Sequence, residues 1–328
     1  MTRIATAMAA LLMGAAMPMA AQAAQPAAAS ATACNEACLE GVMTSYLDAL
    51  GRRDPKAAPF AANARTTENE QLVAPGDGLW GTIGGYSGYR HVFADPRTGE
   101  VAAFVAIEEQ GSPALLTVRL KVAGQRITQA EMLVARSQGP GSFLNTKLGA
   151  VKPIFLEKLP ADKRLSREEL IRRTNLYFDA IVKGNGNIAP FHALCNRTEN
   201  GIQTTNNPDL QVPGASKDQP SNPAGCRDQI SSGIFSYITE VNPRRYLLVD
   251  ESRGLVFGMF MFRHAGRVTS VNVPGRGEVK MFPAAMKPFN VEVSELFKIA
   301  DGQIREIEAV MVELPYRTPS AWAGQEKK

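Results

Sequence analysis

The feature that most constrains this chain is that it spells one passage twice. Residues 59–70 read PFAANARTTENE and residues 190–201 read PFHALCNRTENG. Laid over one another at a constant shift of 131, Tyr46–Asn69 and Tyr177–Asn200 share ten identities in 24 positions without a gap. A run of that kind argues for internal duplication. Further matches pair residues 90–109 with 245–264 at a shift of 155, and 121–131 with 298–308 at 177. The shift therefore grows twice, so the second copy carries two insertions, of 24 and 22 residues. The first falls within about 205–232 and the second within about 265–288. Any fold must be buildable twice from about a hundred residues, and must tolerate both insertions in one copy.

Each copy has the same local grammar. Leu39, Val42, Met43, Tyr46, Leu47 and Leu50 recur at helical spacing, which gives one apolar face. Ser166-x-x-Glu169 is a capping box that opens the matching helix, with Leu170, Ile171, Thr174, Tyr177, Phe178 and Ile181 on its face. Downstream, Leu116, Val118, Leu120 and Val122 alternate with Thr117, Arg119 and Lys121, the period of a half-buried strand. DPRTG (95–99) and DESRG (250–254) are hairpin turns, with Gly99 and Gly254 placed for positive φ. LVFGMFMF (255–262), which includes Phe260 and Phe262, is apolar on both faces. Such a strand has a helix on one side and a cavity or partner on the other. The unit reads as a long helix, a short helical segment and a curved, mostly antiparallel sheet: α+β, twice. Residues 36–136 and 166–316 are the two units, and the Gly-, Pro- and Lys-rich stretch 137–165 is the connector. Residues 317–328 form a polar tail.

The start of the chain bears on compartment. Arg3 precedes an apolar, alanine-rich run that ends in Ala21-Gln22-Ala23, a small-x-small cleavage pattern. Residues 1–23 read as a removed secretory signal peptide, residues 24–35 as a flexible tail, and the destination as periplasmic or secreted. No later stretch is apolar for long enough to span a membrane. Four cysteines, an even number, suit an oxidising compartment. Four allow three pairings. Cys34 with Cys38 (one helical turn apart) and Cys195 with Cys226 (bracketing a polar loop) are the local choices. The Cys195–Cys226 bridge would staple the first insertion to the body. His192-x-x-Cys195 matches no zinc spacing, so no metal is expected.

Several function classes fall away. A net charge of +4 with acids and bases intermixed offers no basic stripe for nucleic acid. The glycine-rich stretch around Trp80, Tyr86 and Tyr89 lacks nucleotide-loop spacing and reads as an aromatic rim. There is no G-x-S-x-G elbow, and three histidines give little support to a serine triad.

A helix with an inward Tyr, a short second helix ending in Phe, a carboxylate just beyond and then several strands resembles the nuclear transport factor 2-like superfamily. That group includes ketosteroid isomerases and SnoaL-like polyketide cyclases. The resemblance covers nearly all of 36–136 and 166–316 and implies two tandem cone-shaped units, each a long helix wrapped by a sheet. In such a family the open end of the cone is a small-molecule pocket. YLDAL (Tyr46) and YFDAI (Tyr177) look like the family's oxyanion-donor pattern, and Glu68 and Glu199 stand eight residues after Phe60 and Phe191, as its general base does. The Tyr-to-Phe spacing is two residues shorter than in the family, the base is Glu rather than Asp, and no second oxyanion acid is legible.

These readings imply a small, apolar or aromatic ligand and no organic cofactor. If the chain is an enzyme, an isomerase or lyase working through enolate chemistry, Glu199 is the base and Tyr177 the oxyanion donor. His192 or His264, which replace Ala61 and Glu109 of the first copy, would be an auxiliary acid. Tyr46, Glu68, Trp80, Arg245, Phe260, Phe262 and His264 are candidate ligand contacts. The alternative is a non-catalytic binding or interaction module in which the two cones pack as an intramolecular pseudo-dimer. The whole chain would then be a monomer or a homodimer.

Overall fold

The computed structural model describes residues 34–137, 143–210, 224–273, 277–280 and 287–324. The expected signal peptide, most of the tail after it and parts of both insertions lie outside these residues. None of the helices among the described residues is long and apolar enough to cross a membrane.

Each half opens with its expected long helix. Helix α1 (Glu36–Gly51) is capped by Asn35, whose side chain accepts from the Cys38 amide, and buries Leu39, Val42, Met43, Tyr46, Leu47 and Leu50. In the second half the Ser166 hydroxyl caps the amide of Glu169 at the start of the equivalent helix, Arg167–Lys183. The expected short helical segment is present but does not extend to the Phe. It is a single 3-10 turn, Pro55–Ala57 or Gly186–Ile188, and Phe60 and Phe191 begin strands rather than end helices. The cause is local: the residue before a proline is pushed out of the helical region, and Pro59 and Pro190 follow each turn at once.

In chain order the first half continues with β1 (Phe60–Glu68), β2 (Gln71–Leu72), the single-turn helix α2 (Leu79–Thr82), β3 (Ile83–Asp95), β4 (Glu100–Glu109), β5 (Ser112–Ala123) and β6 (Arg126–Arg136). A short helix α3 (Pro153–Leu156) precedes α4 (Arg167–Lys183). The second half then runs through β7 (Phe191–Glu199), β8 (Ile202–Gln203), α5 (Cys226–Ser231), β9 (Glu240–Asp250) and β10 (Leu255–His264). A separate hairpin, β11 (Ser270–Val273) with β12 (Gly277–Lys280), lies in the second insertion, and β13 (Phe289–Ala300) and β14 (Gln303–Pro315) close the sheet.

Two six-stranded sheets result, in the orders β2-β1-β6-β5-β4-β3 and β8-β7-β14-β13-β10-β9. The orders correspond strand for strand, and in both the pairing of the first long strand with the last is parallel and the rest antiparallel. Gly99 and Gly254 take positive φ in the two equivalent hairpins, as expected. Each long helix covers one face of its own sheet over an apolar core. The remaining faces meet in a third core, where Phe93 and Phe104 pack against Phe257 at ring distances of 5.1 and 6.0 Å. That third core explains why β10 is apolar on both faces: all its residues but Arg263 are buried.

Equivalent positions meet across this interface. Thr117 Oγ1 lies 2.7 Å from Ser294 Oγ, residues 177 apart on β5 and β13. His91 Nδ1 lies 2.8 Å from Glu308 of β14, while Arg245 of β9 grips Glu131 of β6 through two hydrogen bonds of 2.6 and 2.9 Å. His91 is paired with Phe104 and Arg245 with Met259, again equivalent sites, so the two contacts are mates.

The segments after β6 and β14 cross over. Residues 143–156, expected as a plain connector, lie along the second sheet. The Asn145 amide donates to the Asn200 carbonyl, and Lys152 Nζ reaches Thr198, Gln203 and Glu306. Phe155 of α3 is buried with its ring 5.0 Å from that of His91. Conversely, residues 316–324 lie on the first sheet. The Ala321 amide donates to Glu70, and Trp322 Nε1 donates to Thr67 Oγ1 at 3.1 Å. The expected polar tail thus contributes a buried tryptophan, flanked by the guanidinium groups of Arg65, Arg119 and Arg245 at 5.2–5.6 Å.

Candidate functional site

The interiors of the two halves share a frame and differ in chemistry. In the second half, the inward face of α4 carries Tyr177, which is fully buried among Phe178, Phe191 and Phe297. Its hydroxyl donates to Glu295 Oε1 on β13 at 2.8 Å. Strand β7 turns Arg197 and Glu199 to the same side, two residues apart as a strand requires. Arg197 Nη2 bonds Glu199 Oε1 at 2.6 Å, and Arg197 Nη1 bonds Gln229 Oε1 of α5 at 2.7 Å. The guanidinium also lies over the rings of Tyr177 and Phe235, at 5.7 and 4.8 Å. The Cys195–Cys226 disulfide fixes α5 to β7 and so places Gln229; both expected disulfides are formed.

The electrostatics of this cluster are dominated by burial. Loss of solvent pushes the Glu295 carboxyl up to about 8, with the Glu199 charge adding to the rise and Arg197 and the Tyr177 hydroxyl opposing it. Glu295 is therefore mostly a neutral acid at pH 7. Its Oε2 is buried and, among the described residues, has no hydrogen-bond partner. Burial likewise drives the Tyr177 phenol well above its ordinary value. Burial works against the Arg197 charge, but Glu199, Tyr177 and Glu295 hold the guanidinium protonated. The arrangement is two neutral O–H groups, sealed from solvent, beside an ion pair whose Glu199 end is partly exposed. It can donate hydrogen bonds to a developing negative oxygen and accept a proton at Glu199.

The first half has none of this inside. Tyr46 is equally buried, but Trp80 and Phe60 pack edge-on against it at 5.4 and 5.9 Å. Val118 occupies the position of Glu295 and Thr66 that of Arg197. Glu68 caps the Leu79 amide at 2.7 Å and pairs with Arg136 at 2.6 Å. Trp80, expected at a rim, is a core residue because α2 turns it inward onto Tyr46.

Of the other expected residues, His192 lies at the irregular start of β7, where its Nδ1 accepts from the Leu194 amide at 3.0 Å, away from the cluster. His264 is buried, with Nδ1 2.6 Å from the Tyr237 carbonyl and its ring against Tyr237 and Phe289. Phe260 and Phe262 pack on Phe178, along the apolar flank of α4. Arg245 is engaged by Glu131 between the sheets rather than facing either interior. Tyr177 and Glu199 are thus brought to one cluster, through Arg197 and Glu295.

Arg197, Gln229 and Glu295 were not among the expected residues. Glu295 had a legible signal, since it interrupts the face formed by Val291, Val293, Phe297 and Ile299. Gln229 had none, because it belongs to an insertion without a counterpart.

A second polar nest lies under the crossing tail. Glu70, Glu131 and Glu292 are buried with carboxylate oxygens within 4.8 Å of one another. Burial raises both Glu292 and Glu70; Glu70 and Glu131 add to the rise at Glu292, and Glu131 to the rise at Glu70. Arg245 balances Glu131, and the space lined by Glu70, Arg245, Glu292 and Ser320 has no volume for a water-sized sphere. Arg245 is the cation that these acids share.

Residues 163–311 match the model of a domain of unknown function (DUF8021). No curated protein matches the chain. Solved structures similar to parts of it include an NTF2-like protein of unknown function from Cytophaga hutchinsonii (11% identity, 30% of this chain and 89% of that one, TM-score 0.24). A putative ketosteroid isomerase from Kribbella flavida is similar at 14% identity (36% and 92%, TM-score 0.24). A third is a hypothetical protein with ketosteroid isomerase-like fold from Catenulispora acidiphila, in complex with trimethylamine (16% identity, 33% and 96%, TM-score 0.22).

Proposed function

We propose that the chain is an exported, periplasmic or secreted protein of two tandem nuclear transport factor 2-like cones. In this reading the second cone performs acid/base chemistry on a small carbonyl compound with an apolar body. The observation that carries it is the contrast between the halves. The first half reaches the same topology with Val118 and Thr66 where the second has Glu295 and Arg197. Buried acids and cations are unfavourable unless matched, and this frame does not require them.

Glu199, ion-paired with Arg197, removes a proton next to the carbonyl. The Tyr177 hydroxyl and the neutral Glu295 carboxyl donate to the enolate oxygen as charge moves onto it, and the Glu199 carboxyl returns the proton to carbon. Isomerase and lyase outcomes share this first step. Because Tyr177 and Glu295 are buried, a substrate reaches them only when side chains around them move aside. Hydrogen–deuterium exchange at the α-carbon of a panel of small ketones, followed by NMR, tests the reading. Exchange should depend on the protein and fall by roughly 100-fold or more in Glu199→Gln. If no ketone exchanges faster with the wild type than with Glu199→Gln, the cluster has no such role.

The second reading is a non-catalytic binding module with the cones as an intramolecular pseudo-dimer. It is favoured by the mated contacts across the interface, Thr117 with Ser294 and His91–Glu308 with Arg245–Glu131.

A further inference from the structure

A cleft of about 160 Å³ lies in the first half, between α1 and the irregular start of β3, remote from the Tyr177 cluster and outside the function proposed for it. Its floor is Leu47 and Val105, both buried, and its rim carries Tyr86, Asp48 and Arg90. The second half shows why it is there. Phe178 and Phe260 hold the positions of Leu47 and Val105, and their rings fill the same space at a centroid distance of 4.2 Å. Arg244, which pairs with Phe260 as Arg90 does with Val105, closes over them: it lies 5.3 Å from the Phe178 ring and binds Asp179 Oδ1 and Asn175 Oδ1 at 2.8 and 2.7 Å.

In the first half two aliphatic side chains stand in place of the two rings, and the arginine reaches only one of the two helix positions that Arg244 binds. Arg90 is exposed, hydrogen-bonds Thr44 Oγ1 at 3.0 Å and, among the described residues, forms no ion pair, although Asp48 stands where Asp179 does. Strand β3 also has one residue more between Tyr86 and Arg90 than β9 has between Val241 and Arg244, with Gly88 at φ +92°. The vacated volume matches one six-membered ring, since an apolar cavity of about 150 Å³ accepts benzene. A guanidinium with free donors at the mouth selects a planar anion, which it can bind through two parallel hydrogen bonds.

We propose that this cleft is a binding site for a single-ring aromatic carboxylate, its ring on Leu47 and Val105 in place of the Phe178–Phe260 pair and its carboxylate on Arg90. Benzoate titrated into the full chain, followed through the methyl resonances of Leu47 and Val105, is the test. Those methyls should shift saturably, with a dissociation constant on the order of 1 mM for so small a ligand. Arg90→Gln, a surface change that leaves the core alone, should weaken binding roughly tenfold. Val105→Phe, which restores one ring of the sister half, should abolish it, with unchanged Leu133 methyl shifts in the third core reporting that the variant is folded. Glu295→Gln should leave it unaltered, which separates this site from the one in the second half. Three results would overturn the proposal: no shift at Leu47 and Val105 well above that concentration, a shift that persists in both cleft variants, or binding of benzamidine in preference to benzoate.

Discussion

Glu295 and Val118 occupy one position in two copies of one frame, and the pair isolates what a buried carboxyl does. A carboxyl whose folded pKa is raised above its unfolded value stabilises the protein fully only below the unfolded value. For Glu295 that contribution is present below about pH 4.5 and is lost as pH rises towards about 8. At about 1.4 kcal/mol per unit of displacement, the loss between pH 5 and 8 is on the order of 3 kcal/mol. Urea unfolding at the two pH values should show the wild type weaker at pH 8, and Glu295→Gln should flatten that slope. Glu292 and Glu70 act with the same sign, so the difference between the two slopes is the quantity to compare. Equal slopes would mean that Glu295 is already ionised at pH 5. At this scale the sequence was half legible. Tyr177 and Glu199 stood out because duplication repeated them; Glu295 and Arg197 did not, because they are what the copies do not share.

Among the elements, strands and long helices followed their periodicity, and one misreading, a helix ending at Phe60 and Phe191, came from prolines that follow too closely. The crossing segments were not legible. A strap held by a few side chains against a distant strand leaves no period in the sequence, and the tail from 317 read as polar although Trp322 lies within it. Trp322 is 1% exposed. Its replacement by alanine should destabilise the protein by about 3 kcal/mol or more, because Arg65, Arg119 and Arg245 also lose the ring between them. A loss under about 1 kcal/mol in denaturant titration would mean that the strap is not part of the fold's support. The Cys195–Cys226 bridge spans 31 residues, for which chain entropy gives about 3–4 kcal/mol. In Cys195→Ala/Cys226→Ala, stability should fall by a figure of that order. Proteolysis should first appear near α5, the element the bridge ties down.

As a whole molecule, the chain is four layers, helix, sheet, sheet and helix, with the middle pair joined by an apolar core and mated polar contacts. Neither sheet face in that core is suited to water. Residues 34–137 produced alone should aggregate or self-associate, and mixing them with residues 143–324 should restore a folded 1:1 complex detectable by size and by near-UV dichroism. A monomeric, folded 34–137 would show the third core to be dispensable. The doubled architecture was legible from three matched passages and their growing shift. The exchange of straps adds a property that concerns time rather than stability. The second sheet receives its strap, residues 143–156, before its own helix has been synthesised. The first sheet must wait for Trp322, nearly two hundred residues after β6 ends, a delay on the order of 10 s or more at ribosomal speeds. Until then Arg65, Thr67 and Glu70 lack the partners that the tail brings, so the half of the chain made first is the last to be finished.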